Sequence, residues 1–256
     1  TGATSAFISA NSCTGLTVNG AEFTPATSVS VMPVGIGITN CSYLDFIAVT
    51  STSAKLDNHY KFEGGTKLTL DRNYLTNCRG SAIYCNNVEE IKLYNSLLWG
   101  NGAVTDATAG LFVQRGGDVY LRGNTIKHLC QPSGQCVFLR DNTKQLKENY
   151  NNIYLLEKIT AGTSVSFFLR LELDPTVSSV SNISSDFNLY YSSIAESKFS
   201  GGSIGGLLYT SNSLTSWKST FSKDLSSIQS APTFDTGTFV LSSGSRGVAE
   251  GSITYT

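Results

Sequence analysis

The side chains best suited to chemistry sit on short apolar triplets that recur along the chain. Tyr84, Phe112 and Phe138 are the middle residues of Ile83-Tyr84-Cys85, Leu111-Phe112-Val113 and Val137-Phe138-Leu139. In a strand the middle residue faces away from its two neighbours. The three rings are therefore expected on one outward row, with Phe168 in line to extend it. An open row of rings is a platform for sugars, whose C–H faces pack on aromatic surfaces. Its plainer use is as a seat for the C-terminal segment, through Trp217 and Phe221. Trp99, in Trp99-Gly100-Asn101-Gly102, is expected in a loop, as an anchor or a second sugar contact.

A second set of side chains is charged. Asp71, Lys92, Arg122 and Lys147 take outward positions on the triplets that follow the aromatic ones, with Arg72 beside them. A basic row could bind an acidic glycan; ordinary solvated strand charges are the simpler reading. Glycoside hydrolysis needs two carboxylates facing each other across a cleft. Glu89 and Glu90 are adjacent in sequence and point in different directions, and no such pair is evident. His59 and His128 are too few and too scattered for a zinc site, so no metal site is expected.

The elements that must carry these residues are written in a repeat. Tyr60-Lys61-Phe62, Ile83-Tyr84-Cys85 and Leu111-Phe112-Val113 are each followed, eight residues after their start, by Leu68-Thr69-Leu70, Ile91-Lys92-Leu93 and Val119-Tyr120-Leu121. The same step links Ile8 to Leu16 and Ile36 to Leu44, and slips by one between Val137 and Leu146. A period in the twenties signals a solenoid, in which one coil cannot bury its own apolar side chains and stacked coils share a core. About seven coils are expected. Asn73, Asn95, Asn124 and Asn151 fall near one corner of successive coils, where Asn accepts left-handed backbone and bonds to neighbouring main chain. A structural role is expected for them, not a ligand-binding one.

Composition agrees. Charged residues are 14%, the formal net charge is −1, and Gly (24) far outnumbers Pro (5) and Met (1). No strong single-sign field is available to recruit nucleic acid, and no apolar run is long enough for a membrane helix. Neither partner is expected. Six cysteines supply the compartment argument. Cys13 and Cys41 hold equivalent positions on successive coils; Cys130 and Cys136 flank a turn-rich loop; Cys78 and Cys85 enclose another corner. Stacked coils bring Cα atoms within disulfide reach. Up to three bridges, and with them a secreted or cell-surface location, are the expectation, against buried thiols as the alternative.

Inward aliphatic triplets, tight corners and an Asn row together resemble the right-handed parallel β-helix of the pectate-lyase-like superfamily, over roughly residues 5–185. The order Asp186–Tyr191, Ser213–Trp217, Lys223–Phe234 and Phe239–Ser245 is similar to the tail of many bacterial secreted β-helix proteins. The resemblance implies an all-β fold with coils over residues 1–185, and closing coils with a C-terminal cap over 186–256. Within that tail Asn212 and Ser213 are placed to cap a short helix with Leu214, Trp217 and Phe221 on one face. Phe7 and Ile8 enter the first coil directly, so an uncapped N-terminal edge, open to self-association, is expected.

Lyases of that superfamily use Arg or Lys as the base and neutralise the substrate carboxylate with Ca²⁺ or further basic residues. The resemblance thus makes Lys92 and Arg122 the weak candidates for catalysis, with Ca²⁺ the one cofactor to consider and no Asp/Glu cluster to hold it. The leading expectation is non-enzymatic: an extracellular module contacting polysaccharide or a cell-surface glycan through Tyr84, Phe112, Phe138 and Trp99. A lyase acting on an acidic glycan and an architectural filament subunit are the alternatives.

Overall fold

Side-chain alternation within short strands decides the architecture. The computed structural model describes residues 6–24, 32–102, 108–130, 133–158, 165–176, 179–194, 197–204 and 206–234. Parallel strands stack coil upon coil on three faces of a solenoid, eight deep on the first face among the described residues, in keeping with the seven or so coils expected. The first face carries Ile8–Asn11, Met32–Thr39, Thr108–Gln114, Gly134–Thr143, Ser166–Leu173 and Ser197–Ile204. The second carries Thr17–Asn19, Leu44–Ile47, Asp118–Arg122 and Gln145–Tyr150. Two long strands, Leu56–Asp71 and Ile83–Tyr94, run through the bend and serve both faces. The third face stacks Thr50–Thr52, Tyr74–Thr76, Leu97–Asn101, Thr125–Cys130, Ile153–Lys158 and Leu189–Ser192.

Register puts like on like. Ile36, Tyr60, Ile83, Leu111, Val137 and Leu169 lie one above another inside the first face. Leu44, Leu68, Ile91, Val119 and Leu146 do so inside the second. Leu75, Leu98, Ile126, Tyr154 and Tyr190 line the third. These side chains are sealed from solvent, and burying each large aliphatic group contributes about 1.5–3 kcal/mol.

The bend between the second and third faces is a two-residue device. Its first residue adopts left-handed backbone: Ala48 (φ 52°), Arg72 (φ 53°), Asn95 (φ 49°), Gly123 (φ 69°), Asn151 (φ 55°) and Phe187 (φ 57°). Its second residue turns inward and builds a ladder. The main-chain N–H of Asn73 donates to Ser96 Oγ (3.0 Å), that of Ser96 to Asn124 Oδ1 (3.0 Å), and that of Asn124 to Asn152 Oδ1 (2.9 Å). Asn152 donates in turn to Asn188 Oδ1 (2.9 Å), and Asn188 to Ser227 Oγ (2.8 Å). The ladder therefore runs through Ser96 and Asn152, not through the Asn95 and Asn151 expected from sequence. Those two asparagines serve the left-handed step just before it.

The C-terminal end closes as expected. Helix Leu214–Phe221 is N-capped by Ser213, whose side chain accepts from the Ser216 N–H. Its buried Trp217 packs among Phe199, Tyr209 and Phe221. Asp224 is fully buried beneath it and accepts from Trp217 Nε1 (3.0 Å), Asn188 Nδ2 (2.9 Å), Tyr190 Oη (3.2 Å), Ser185 Oγ (2.7 Å) and Ser227 Oγ (2.7 Å). Five donors replace the water that a carboxylate loses on burial. Residues 235–256, the rest of the expected cap, lie outside the described residues.

The six cysteines are unbridged, which corrects the disulfide expectation. Cys13 and Cys41 do stack, but Cys41 Sγ accepts from the Cys13 N–H (3.0 Å) and donates to Thr39 O. Cys78 turns its thiol to Gly80 O, whereas Cys85 fills the inward stack between Phe62 and Val113. Cys130 and Cys136 are both buried in the core, with the Cys136 thiol against Leu155 O. Burial pushes the Cys78 thiol up to about 12 and holds the Cys85 and Cys136 thiols well above their ordinary range. Thiols this far from the thiolate are inert fillers. Disulfides therefore lend no support to an extracellular location.

Candidate functional site

The aromatic row exists, in register and on the outside of the first face. Lys61, Tyr84, Phe112, Phe138, Arg170 and Gly201 succeed one another on consecutive coils. Tyr84 and Phe112 stack with centroids 5.3 Å apart, and Phe138 meets Phe112 edge-on at 5.0 Å. The row is nevertheless closed, because Phe112 and Phe138 are only 7% and 3% exposed. Lys61 Nζ lies 5.9 Å from the Tyr84 ring and Arg170 Cζ 4.5 Å from the Phe138 ring, so cations cap both ends. Tyr84 Oη donates to Gln114 Oε1 (2.9 Å), and Gln114 Nε2 donates to Asp141. Two of the three rings are thus closed off and Tyr84 is half-buried, so the row is not the open platform expected. Phe168 does not extend it: that side chain points inward onto Tyr190 and Phe199. Trp217 and Phe221 pack within the cap, against Phe199 and Tyr209 and not against the rings of the row.

Beyond Phe138 the row drops away. Arg170 donates through Nε and Nη2 to Glu172 Oε1 (3.1 and 2.8 Å), lying flat along the sheet. The next rung has no side chain at all, being Gly201-Gly202. A Cβ on Gly201 would stand 2.6 Å from Phe167 Cε1, and Gly202 holds φ 135°, a conformation open to glycine alone. The result is a groove of about 760 Å³ floored by the two glycines and lined by Phe167, Arg170, Glu172 and Asp141. Its far wall is the antiparallel strand Leu207–Ser211, with Leu208 almost wholly exposed at the lip. One ring, one guanidinium and two carboxylates thus converge on an open floor. The sequence contained a signal for it, since a glycine pair takes the rung that the outward row would next have filled.

The charged residues of the second face do not form a basic row. Lys92 shares its register line with Thr69 and Tyr120, whereas Asp71, Tyr94 and Arg122 form the next line. Lys92 Nζ binds Glu90 (3.0 Å) and lies over the Tyr120 ring (5.3 Å). The hydrogen bond that Lys92 donates to Glu90 holds its ammonium above the ordinary range, the wrong direction for a general base. Arg122 pairs with Glu148 (2.9 Å) and Lys147 with Asp118 (4.0 Å). Each of these three cations is paired with a carboxylate, although Lys92 shares Glu90 with Lys67 (3.9 Å), so no row of free cations is presented to an acidic glycan. Among the described residues no three His, Cys, Asp or Glu side chains are grouped to hold a metal ion.

Both histidines are buried structural groups. His59 accepts from Ser51 Oγ at Nδ1 (2.8 Å) and donates from Nε2 to Thr76 O (3.1 Å). His128 meets Thr108 Oγ1 at 3.0 Å. Burial lowers them to about 4 and about 3 respectively, so both are neutral near pH 7. Gly201-Gly202-Ser203-Ile204-Gly205 has the spacing of a nucleophile elbow. Ser203 lies instead in the extended strand Ser197–Ile204, and both histidines are committed elsewhere.

Trp99 sits in strand Leu97–Asn101 on the third face, not in a loop. Lys127 Nζ lies 4.8 Å from its ring, and Phe234 meets it edge-on at 5.5 Å. No helix among the described residues is long and apolar enough to cross a membrane.

A family model described as right handed beta helix region matches residues 5–155. No curated protein and no solved structure matches the chain.

Proposed function

We propose, for a chain that belongs to the right-handed β-helix family, a non-enzymatic role as an extracellular module that holds neutral polysaccharide in the glycine-floored groove of the first face. The observation that carries this reading is the step from Phe138 and Arg170 down to Gly201-Gly202. It opens a hollow beside the Phe167 ring, with hydrogen-bonding groups on the rim.

Pyranose rings need that combination. Their C–H faces pack on Phe167 and Leu208, and their hydroxyls donate to Glu172 or Asp141 and accept from Arg170. Charge favours a neutral polymer. Arg170 is paired with Glu172 and Arg140 with Asp141 (3.2 Å), so neither sign dominates. The same pairing argues against catalysis, because each carboxylate is tied to a guanidinium and Lys92 and Arg122 are tied to glutamates. Retention on insoluble β-glucan, mannan and xylan tests the reading. Phe167→Ala and Arg170→Ala should each weaken retention about tenfold, the loss of one stacking or charge-assisted contact. Retention unchanged in both variants would falsify it.

A further inference from the structure

A second concavity opens on the third face, where nothing in the first-face groove can reach. Trp99, Lys127, Leu155 and Tyr191 occupy one outward register line on consecutive coils. From Trp99 to Tyr191 is three coils, roughly 14 Å at the spacing of paired strands. Residues 231–234 pass alongside and bring Pro232 and Phe234 up as the opposite wall, enclosing about 390 Å³. That volume is within the range of ligand sites.

The lining is specific in its chemistry. Trp99, Tyr191, Leu155, Pro232 and Phe234 give an apolar trough, and Tyr191 is 37% exposed. Set into it is one ion pair, Lys127 with Glu157. A purely apolar ligand would strand that pair away from water at a cost. An anion would meet Glu157 and find Lys127 already engaged. A chain of neutral sugars meets both demands, laying a ring face on Tyr191, packing along the wall that Trp99, Leu155 and Pro232 form, and spending hydroxyls on Lys127 and Glu157.

We infer that this trough is a second carbohydrate site, so that one molecule grips two polysaccharide strands and cross-links them. The inference rests on the reading of the first-face groove as a carbohydrate site. The two sites open from different faces of one rigid solenoid, with the core between them, and a bivalent body joins strands without any new contact.

Titration calorimetry with neutral hexaoses (β-1,3- and β-1,4-linked glucose, β-1,4-linked xylose) reads the stoichiometry, and turbidity with the matching long polymers reads cross-linking. Two hexaoses per chain are expected, with Trp99→Ala or Tyr191→Ala weakening one event about tenfold and abolishing turbidity. Tyr191→Ala serves as the second variant, because its ring is partly exposed and its loss disturbs packing least. One hexaose per chain, lost in Phe167→Ala and untouched by Trp99→Ala and Tyr191→Ala, overturns the second site and leaves the first standing. One hexaose lost only in the Trp99 and Tyr191 variants overturns bivalency and the first-face reading together. So does binding of no hexaose at all. Binding of a proline-rich peptide in the trough, with no sugar there, overturns the inference in favour of a protein ligand.

Discussion

At the scale of single residues, backbone sign and burial carry consequences that can be measured. Ala48 holds φ 52° at a corner where Gly123 sits three coils further on. A non-glycine residue in left-handed backbone costs about 1–2 kcal/mol. Ala48→Gly should therefore raise stability by up to about 1 kcal/mol, after the extra unfolded-state entropy of glycine is subtracted. A urea midpoint that fails to rise would show that the corner is unstrained. The histidines give a pH signature. Both have folded pKa values below the unfolded value, so the unfolded chain binds more protons as pH falls from about 6.5 toward 4. Stability is complete above that window and is lost on acidification through it, by a few kcal/mol on the order of the cited shifts. Urea midpoints at pH 7 and pH 4.5 should differ clearly in the parent protein and much less in the His59→Asn, His128→Asn double variant.

Elements show what could be read from the sequence. The stacks of Leu68, Ile91 and Val119 were legible because strand alternation is strict and a one-residue slip would expose every one of them. The ladder was legible only in part. Asn95 and Asn151 look equivalent to Asn73 and Asn124, yet the left-handed step places Ser96 and Asn152 inside, and a serine hydroxyl accepts the rung bond as well as an amide does. The groove was harder still. Register tells which side of a strand a residue faces, whereas depth depends on what the adjacent rungs lack, and Gly201-Gly202 has no side chain to notice. The cysteines failed for a related reason: equal spacing brings two thiols near each other without deciding where each Sγ points. The cap offers its own test. Asp224→Asn keeps the shape but turns one acceptor into a donor among five donors, leaving at least one of them unpaired, at about 1–3 kcal/mol for each orphaned group. Limited proteolysis should then cut between residues 205 and 227 well before the coils are touched; cleavage unchanged from the parent would mean that the carboxylate does not hold the helix down.

The whole molecule is nearly neutral, and its charges are matched locally on both candidate faces. Binding to neutral polysaccharide should accordingly vary less than about twofold between 50 and 500 mM salt, because long-range fields that salt could screen are absent. A steep decline with salt in the same retention assay would point to an acidic glycan and to surface charges not in the grooves.

The inward ladder begins at Asn73, since the equivalent corners at Ala21 and Val49 offer no side-chain acceptor, and it ends against the anion at Asp224. Pulled from its two ends, the solenoid is thus a zipper with a catch. The coils before Asn73 should peel away at low force, and the force should climb when the first amide rung is reached. A polysaccharide strand under tension would be loading the part of the molecule that gives way last.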